Sequence, residues 1–213
     1  MLTLLLMLIA LPGAGEVRAE ILEINPQTAQ HIQFKRIAPS QYQFEAQSLR
    51  IQVDDSASFL LVPFKQIKTV STVRYQWTLE SGDLRLNDAA HEASRDGDDA
   101  VFKLGLLIEG DPGFSNPLAP KWLKQANAAL TYPSDRMIYI VANAKHHAGQ
   151  SWTSPYNDKI QMTAAQNRPL DAGWIEASHV FDSPANVVGL WLMADGDNTD
   201  SRFSVRVKNI ELE

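Results

Sequence analysis

Along most of the chain, apolar and polar residues alternate with a period of two. His31-Ile32-Gln33-Phe34-Lys35-Arg36-Ile37 alternates before Pro39-Ser40 turns the chain, and Tyr42 to Glu45 and Leu49 to Val53 repeat the pattern. Ser58 to Phe64 is short and apolar, whereas Val70 to Leu79 is longer and rich in β-branched and aromatic residues. Such a period places successive side chains on opposite faces and predicts strands. Glu80 to Asp98 is polar and acidic and reads as a surface loop, followed by a strongly apolar strand from Ala100 to Ile108. Gly110 to Pro120 is broken by Pro and Gly, and Trp122 to Leu130 is the one convincing helical stretch. Met137 to Val141, Ile160 to Met162, Gly173 to Phe181, Val187 to Met193 and Phe203 to Leu212 complete the strands.

Short strands at modest spacing, with no βαβ rhythm, predict an all-β fold: an antiparallel two-sheet β-sandwich, jelly-roll-like. No linker or repeat divides residues 20–213, which are expected to form a single domain. Its core should hold Trp77, Trp174 and Trp191 with Phe34, Leu104, Ile138, Ile140, Leu190 and Val205. Trp122 and Trp152 lie outside the predicted strands and are the candidates for an exposed stacking surface.

The first residues change the picture of where such a chain works. Met1 to Leu11 is almost continuously apolar, then come Pro12-Gly13-Ala14 and Val17-Arg18-Ala19, with small or β-branched residues where a signal peptidase reads. The run is shorter than the ~20 residues a membrane span needs but suits a secretory leader. No Lys or Arg lies between Met1 and Ala10, so the positive end would be the α-amino group or an upstream start. The expectation is a signal peptide over residues 1–19, cleavage after Ala19, and a periplasmic or secreted protein; an uncleaved anchor or a buried N-terminal helix is the alternative. Losing Glu16 and Arg18 leaves the net charge at −6. An acidic chain without a Lys/Arg cluster offers no footprint for nucleic acid, and no basic amphipathic helix seats it on a membrane. No stable membrane insertion is therefore expected after cleavage, and the protein should be a monomer. Cysteine is absent, which excludes disulfides, thiolate metal sites and a thiol nucleophile.

Candidate chemistry gathers in three places. Asp195-Gly196-Asp197-Asn198-Thr199 follows the apolar run Val187 to Met193 after Ala194, so two carboxylates, an amide and a hydroxyl stand at the end of a predicted core strand. Asp, Asn and hydroxyl groups match vicinal hydroxyls of a sugar, and they also suit a structural Ca²⁺, which takes six to eight oxygens. The helix–loop–helix calcium pattern is not met, because Asp200 stands where Gly and Arg206 where Glu is required. An Asx-rich turn is the plain alternative. Asp98 and Asp99 open the apolar strand at Ala100, either as a ligand-facing pair or as turn residues bonding backbone N–H groups. Ser154-Pro155-Tyr156 offers a fixed loop with a ring and a hydroxyl, or else a tyrosine tying down a neighbouring strand. His146-His147 is a poor metal pair, since adjacent side chains on an extended chain face opposite ways. No Gly-x-Ser-x-Gly marks a nucleophile, and no metal site or cofactor is assigned. Carboxylate pairs between Asp99 and Asp195 or Asp197 would suit glycoside hydrolysis only at about 5 or 7–9 Å.

Taken in order, several local patterns match one family. Phe34 to Tyr42, Ser56 to Leu60, Arg74-Tyr75-Gln76-Trp77, Gly97-Asp98-Asp99-Ala100, Ser154-Pro155-Tyr156, Gly173-Trp174 and Asp195 to Thr199 succeed one another at characteristic spacing. The chain resembles the uncharacterised bacterial family catalogued as domain of unknown function 3047, over roughly residues 31 to 212. The resemblance implies an exported single-domain β protein of unassigned activity. Asn116 to Leu130 is longer than in that pattern, and Tyr75 replaces a usual Trp. The last strand, Lys208 to Leu212, is also similar to those of jelly-roll carbohydrate-binding modules. The leading expectation is a non-catalytic domain binding a glycan or similar polyhydroxylated ligand through Asp98, Asp99, Ser154, Tyr156, Asp195, Asp197, Asn198 and Thr199. The alternatives are a structural or interaction protein of the cell envelope and a hydrolase using acidic residues. The three polar segments are expected to converge on one concave site.

Overall fold

The computed structural model describes residues 20–111 and 120–213; the expected leader, residues 1–19, lies outside the described residues. The chain runs through β1 (Glu20–Ile21), β2 (Gln30–Gln33), β3 (Gln41–Phe44), β4 (Leu49–Asp54), β5 (Ser58–Asp83), α1 (Ala89–Glu92) and β6 (Ala100–Glu109). It continues through α2 (Lys121–Ala129), β7 (Ser134–Val141), β8 (Ser151–Thr153), β9 (Ile160–Ala164), β10 (Gln166–Pro169), β11 (Ile175–Asp195) and β12 (Arg202–Leu212). The described residues are predominantly strand, as the alternation predicts.

Hydrogen bonding joins these strands into one twelve-stranded sheet in the order β3-β4-β12-β5-β11-β6-β7-β9-β8, with β1 on β12, β2 on β5 and β10 on β11. Two discrete sheets are thus not separated by hydrogen bonding. Nor is the pairing uniformly antiparallel, since β7 and β9 run parallel. The sheet instead folds over on itself. Tyr75 of β5 donates through its hydroxyl to the Ile140 carbonyl of β7 at 3.0 Å, and its ring meets Phe102 of β6 at 5.2 Å. β5 and β7 are three strands apart in the sheet order, so this contact crosses the interior rather than the ladder.

The fold-over rests on two long strands. β5 has 26 residues and β11 has 21, beyond the common range of about 3–10. Sequence patterning reads each as two strands because the alternation lapses midway. Lys65 and Gln66, and Asp182 to Pro184, are exposed. The ladder itself continues past these stretches, with register shifts between Val180 and Ala185 and between Val187 and Gly189. Bulges of this kind bend a strand sharply. Solvated residues therefore mark the bend, where the strand leaves one layer for the other.

Alternation then sorts side chains onto two buried faces. Phe102, Leu104 and Leu106 of β6, Leu190 and Leu192 of β11, and Leu60 and Val62 of β5 point into the interior shared with β4 and β12. The intervening residues, among them Phe59, Leu107, Tyr139, Trp191 and Met193, form a second apolar cluster on the outer side. Trp122, Ala126 and Ala129 of α2 cover it, together with Leu130, Phe34 and Ile37. Strands buried on both faces read as continuous apolar runs, which is why Ala100 to Ile108 and Val187 to Met193 lack polar alternation.

Of the expected core, Trp77, Trp191, Leu104, Ile140, Leu190 and Val205 are buried. Phe34, Ile138 and Trp174 are only half-buried, Trp174 lying beneath the Lys208 ammonium at 3.9 Å. Trp122 and Trp152 are half-buried rather than exposed platforms. Trp122 meets Phe34, Phe59 and Trp191 edge-on, and Trp152 lies in β8 with its ring stacked on His146 at 3.9 Å. Glu80 to Asp98 is not a plain surface loop either. β5 continues to Asp83, and Glu92 of α1 is buried where its Oε2 accepts from His146 Nδ1 at 2.6 Å and from the Lys145 and His146 backbone N–H groups.

Candidate functional site

The site begins with a lysine inside an apolar strand. Lys103 shares the outer face of β6 with Leu107 and is buried, its ammonium 5.7 Å from the centroid of the Tyr139 ring. Removing an ammonium from water costs several kcal/mol unless partners compensate. Here Lys103 Nζ donates to Asp195 Oδ2 at 2.9 Å and to the Asp98 carbonyl at 2.8 Å, with Asp98 Oδ2 at 3.7 Å. Burial works against the charged lysine, yet the Asp195 and Asp98 carboxylates outweigh it and hold its pKa above the ordinary lysine range. A lysine so held is an ammonium, not a nucleophilic amine.

The two acidic loops are drawn together around it. Asp195, at the end of β11, also accepts from the Ala100 N–H through Oδ1 at 2.9 Å. Asp99 is buried and accepts from the Thr199 N–H at 2.8 Å, the Thr199 hydroxyl at 2.7 Å and the Asn198 N–H at 3.1 Å. Gly196 is required by close approach: a Cβ there would lie 2.8 Å from the Ser201 carbonyl and 2.9 Å from Val53 Cγ1. Gly97 is required likewise, since its Cβ would lie 2.3 Å from the His91 carbonyl.

The third segment closes the group. Asn198 Nδ2 donates to the Tyr156 hydroxyl at 2.9 Å, and that hydroxyl donates to the Arg95 carbonyl at 3.0 Å. The Arg95 guanidinium lies 5.5 Å from the Tyr156 ring centroid. Tyr156 remains 51% exposed, so its ring stands at a rim and is not a core tyrosine. Ser154 is buried beneath it, with its hydroxyl 3.4 Å from the Tyr156 N–H.

These segments border a cavity of about 450 Å³, within the usual size for small-molecule pockets. Asp98, Asp195, Asp197, Asn198, Ser154 and Tyr156 line its polar end. Asp99 and Thr199 do not line it; they staple one loop to the other. Two buried polar atoms of the lining, Asp98 Oδ1 and the Trp191 indole N–H, have no hydrogen-bond partner among the described residues. An orphaned buried acceptor and an orphaned buried donor are each costly.

Burial raises the Asp98 carboxyl against the pull of Lys103. Burial, then the neighbouring Asp99 charge, raises Asp197 to about 6. Asp99, Asp195 and Asp197 have carboxylate oxygens within 4.8 Å of one another. That spacing invites a cation, but the donor set does not fit calcium. Both Asp195 oxygens and the Asp99 carboxylate are already engaged, and the Lys103 ammonium supplies the positive charge an ion would bring.

Lys103 is the residue that sequence reading overlooks, and it leaves a signal: a single charge at a period-two position of an otherwise apolar buried strand. Glu92 and His146 are missed because nothing local in the chain links an acidic loop to a His pair 54 residues away.

The model of a family described as proteins of unknown function, DUF3047, matches residues 28–211, and the chain belongs to that family. No curated protein matches it.

Two measurements test this electrostatic arrangement. Lys103→Met strands the buried carboxylates and should cost about 3–5 kcal/mol in urea unfolding. Adding Asp195→Asn, which keeps an acceptor for Ala100, should recover a substantial part of the loss; equal instability of single and double variants would contradict the pairing. Asp197 binds its proton more tightly folded than unfolded, so its contribution falls as pH rises from about 4 through about 6 and stays low above. Asp197→Asn should therefore raise the urea midpoint at pH 7 and leave it nearly unchanged at pH 4.

Proposed function

We propose that this member of the family is a non-catalytic ligand-binding domain whose cavity receives, at its acidic end, a polyhydroxylated head such as a sugar ring. The observation that carries the reading is the unpartnered Asp98 Oδ1 acceptor in a cavity where three sequence-distant loops converge. A ligand hydroxyl would donate to that atom while accepting from a neighbouring amide or hydroxyl. Asn198, Ser154 and Tyr156 add amide and hydroxyl groups around the same end, with the exposed Tyr156 ring at the mouth. The folded-over sheet supports a jelly-roll-like sandwich of the kind that carbohydrate-binding modules use, an analogy of fold that carries little functional weight by itself.

The hydrolase reading has less support. A glycosidase needs one free carboxyl as acid and another as base or nucleophile. Asp99 is enclosed by loop N–H groups and Asp195 is bound to Lys103, so neither is presented as a free catalytic group. We further infer export to the periplasm or beyond, supported by the apolar run Met1 to Leu11, the Val17-Arg18-Ala19 pattern and the lack of cysteine. In this reading the mature protein, residues 20–213, acts as a monomeric domain.

A glycan array probed with the exported protein should show binding without product release. Asn198→Ala and Tyr156→Ala should each weaken it about tenfold, the equivalent of ~1.4 kcal/mol. Silence across a broad array would favour a structural role in the envelope, and released product would favour the hydrolase. N-terminal sequencing of the exported protein should begin at Glu20; a chain retaining Met1 to Ala19 would overturn the assignment of the leader.

A further inference from the structure

The cavity has two ends of opposite chemistry, and the strands set the direction between them. Trp191, Met193 and Asp195 follow one another on the same face of β11, in the order aromatic, apolar, acidic. At about 3.3 Å per residue, this gradient extends over roughly 13 Å. β6 and β7 lie beside it in register. Met193 pairs with Lys103, and Trp191 pairs with Gly105, which in turn pairs with Tyr139. Beyond Trp191 the walls are Phe34, Met137, Leu130 and the α2 residues Trp122 and Leu123, with Asn127, Ser134 and Arg136 also in the lining. A free sugar would satisfy the polar end and leave this apolar length against water.

We infer that the ligand is a neutral amphiphile: a hydroxylated head at Asp98, Ser154 and Asn198, joined to an apolar chain or ring laid along Met193 and Trp191 beneath α2. This rests on the reading of the acidic end as a seat for hydroxyl groups. Apolar surface of the ligand displaces water from Trp122, Trp191, Met137 and Leu130, which is the main source of affinity in such a cavity. The sign of the head follows from charge. Asp98, Asp195 and Asp197 line the polar end against the single ammonium of Lys103, which Asp195 already engages. Carboxylate or phosphate heads would meet net repulsion at this end, and the guanidinium of the lining, Arg136, stands on β7 beyond Met137, so a neutral head is favoured at the acidic end.

The test uses the whole exported protein with the apolar reporter N-phenyl-1-naphthylamine, whose fluorescence rises on entering an apolar cavity. Competitors are octyl glucoside, galactoside and mannoside below their micelle concentrations, the matching free sugars, n-octanol and octanoate. At least one octyl glycoside should displace the reporter at a concentration about tenfold lower than n-octanol, octanoate and its free sugar. Leu123→Glu, a change on α2 at the cavity wall, should raise that concentration at least about tenfold while circular dichroism and melting show a folded chain. Asp98→Asn should weaken the glycoside and leave n-octanol unchanged. A free sugar binding as tightly as its octyl glycoside would overturn the amphiphile and leave the sugar-binding reading intact. Displacement by n-octanol equal to every glycoside would overturn both, because the head would then contribute nothing. Tighter displacement by octanoate, or no reporter binding at all, would overturn the amphiphile, with the glycan array deciding the sugar reading separately.

Discussion

A positive charge held in a strand that is buried on both faces is the constraint on which the rest of this structure depends. Lys103 cannot be solvated where it sits, so the fold has to bring acceptors to it. It does so from two directions: the turn that opens β6 supplies Asp98, and the end of β11 supplies Asp195. Once those two chain ends are fixed together, the Gly196 to Thr199 loop is close enough to clamp Asp99, and Asn198 reaches across to Tyr156. The convergence of distant segments is thus a consequence of one desolvated ammonium and its need for anions.

The same arrangement decides what the cluster can offer a visitor. Charges used for internal pairing are not available for binding, and Asp99, Asp195 and Lys103 are all used. What remains facing the cavity at this end is Asp98, Asp197, the Asn198 amide and the Tyr156 ring, a surface that is acidic. The region therefore does not present Asp99 and Asp195 as a free carboxylate pair, and the carboxyls it turns to the cavity are Asp98 and Asp197.

How much of this was legible in the chain depends on range. Period-two alternation gave the strands and the all-β class because it is a local consequence of the pleat, and the Asp195 to Thr199 and Asp98-Asp99 motifs stood out because polar density at a strand end is also local. The continuity of β5 and β11 was hidden, since solvated residues at a bend break the hydrophobic pattern without breaking the ladder. Lys103 was hidden for a related reason: an isolated charge in an apolar run looks like a flaw in the pattern until its partners, about five and ninety residues along the chain, come into view. Glu92 was read as loop surface because burial of an acidic side chain depends wholly on the distant backbone N–H groups of Lys145 and His146.

The two long strands carry a mechanical implication. β5 pairs with β2 and the end of β11 through one half, and with β12 and the start of β11 through the other. β11 likewise belongs to both halves. Neither layer can peel away while the other persists, because the same continuous backbone is woven through each, and opening one half tears at the ladder of the other. Chain cuts or insertions at the solvated bends near Lys65 and Asp182 would fall in exposed backbone and still sever strands common to both halves. Exposure, the usual guide to where a protein tolerates being cut, would here point to the places where it tolerates it least.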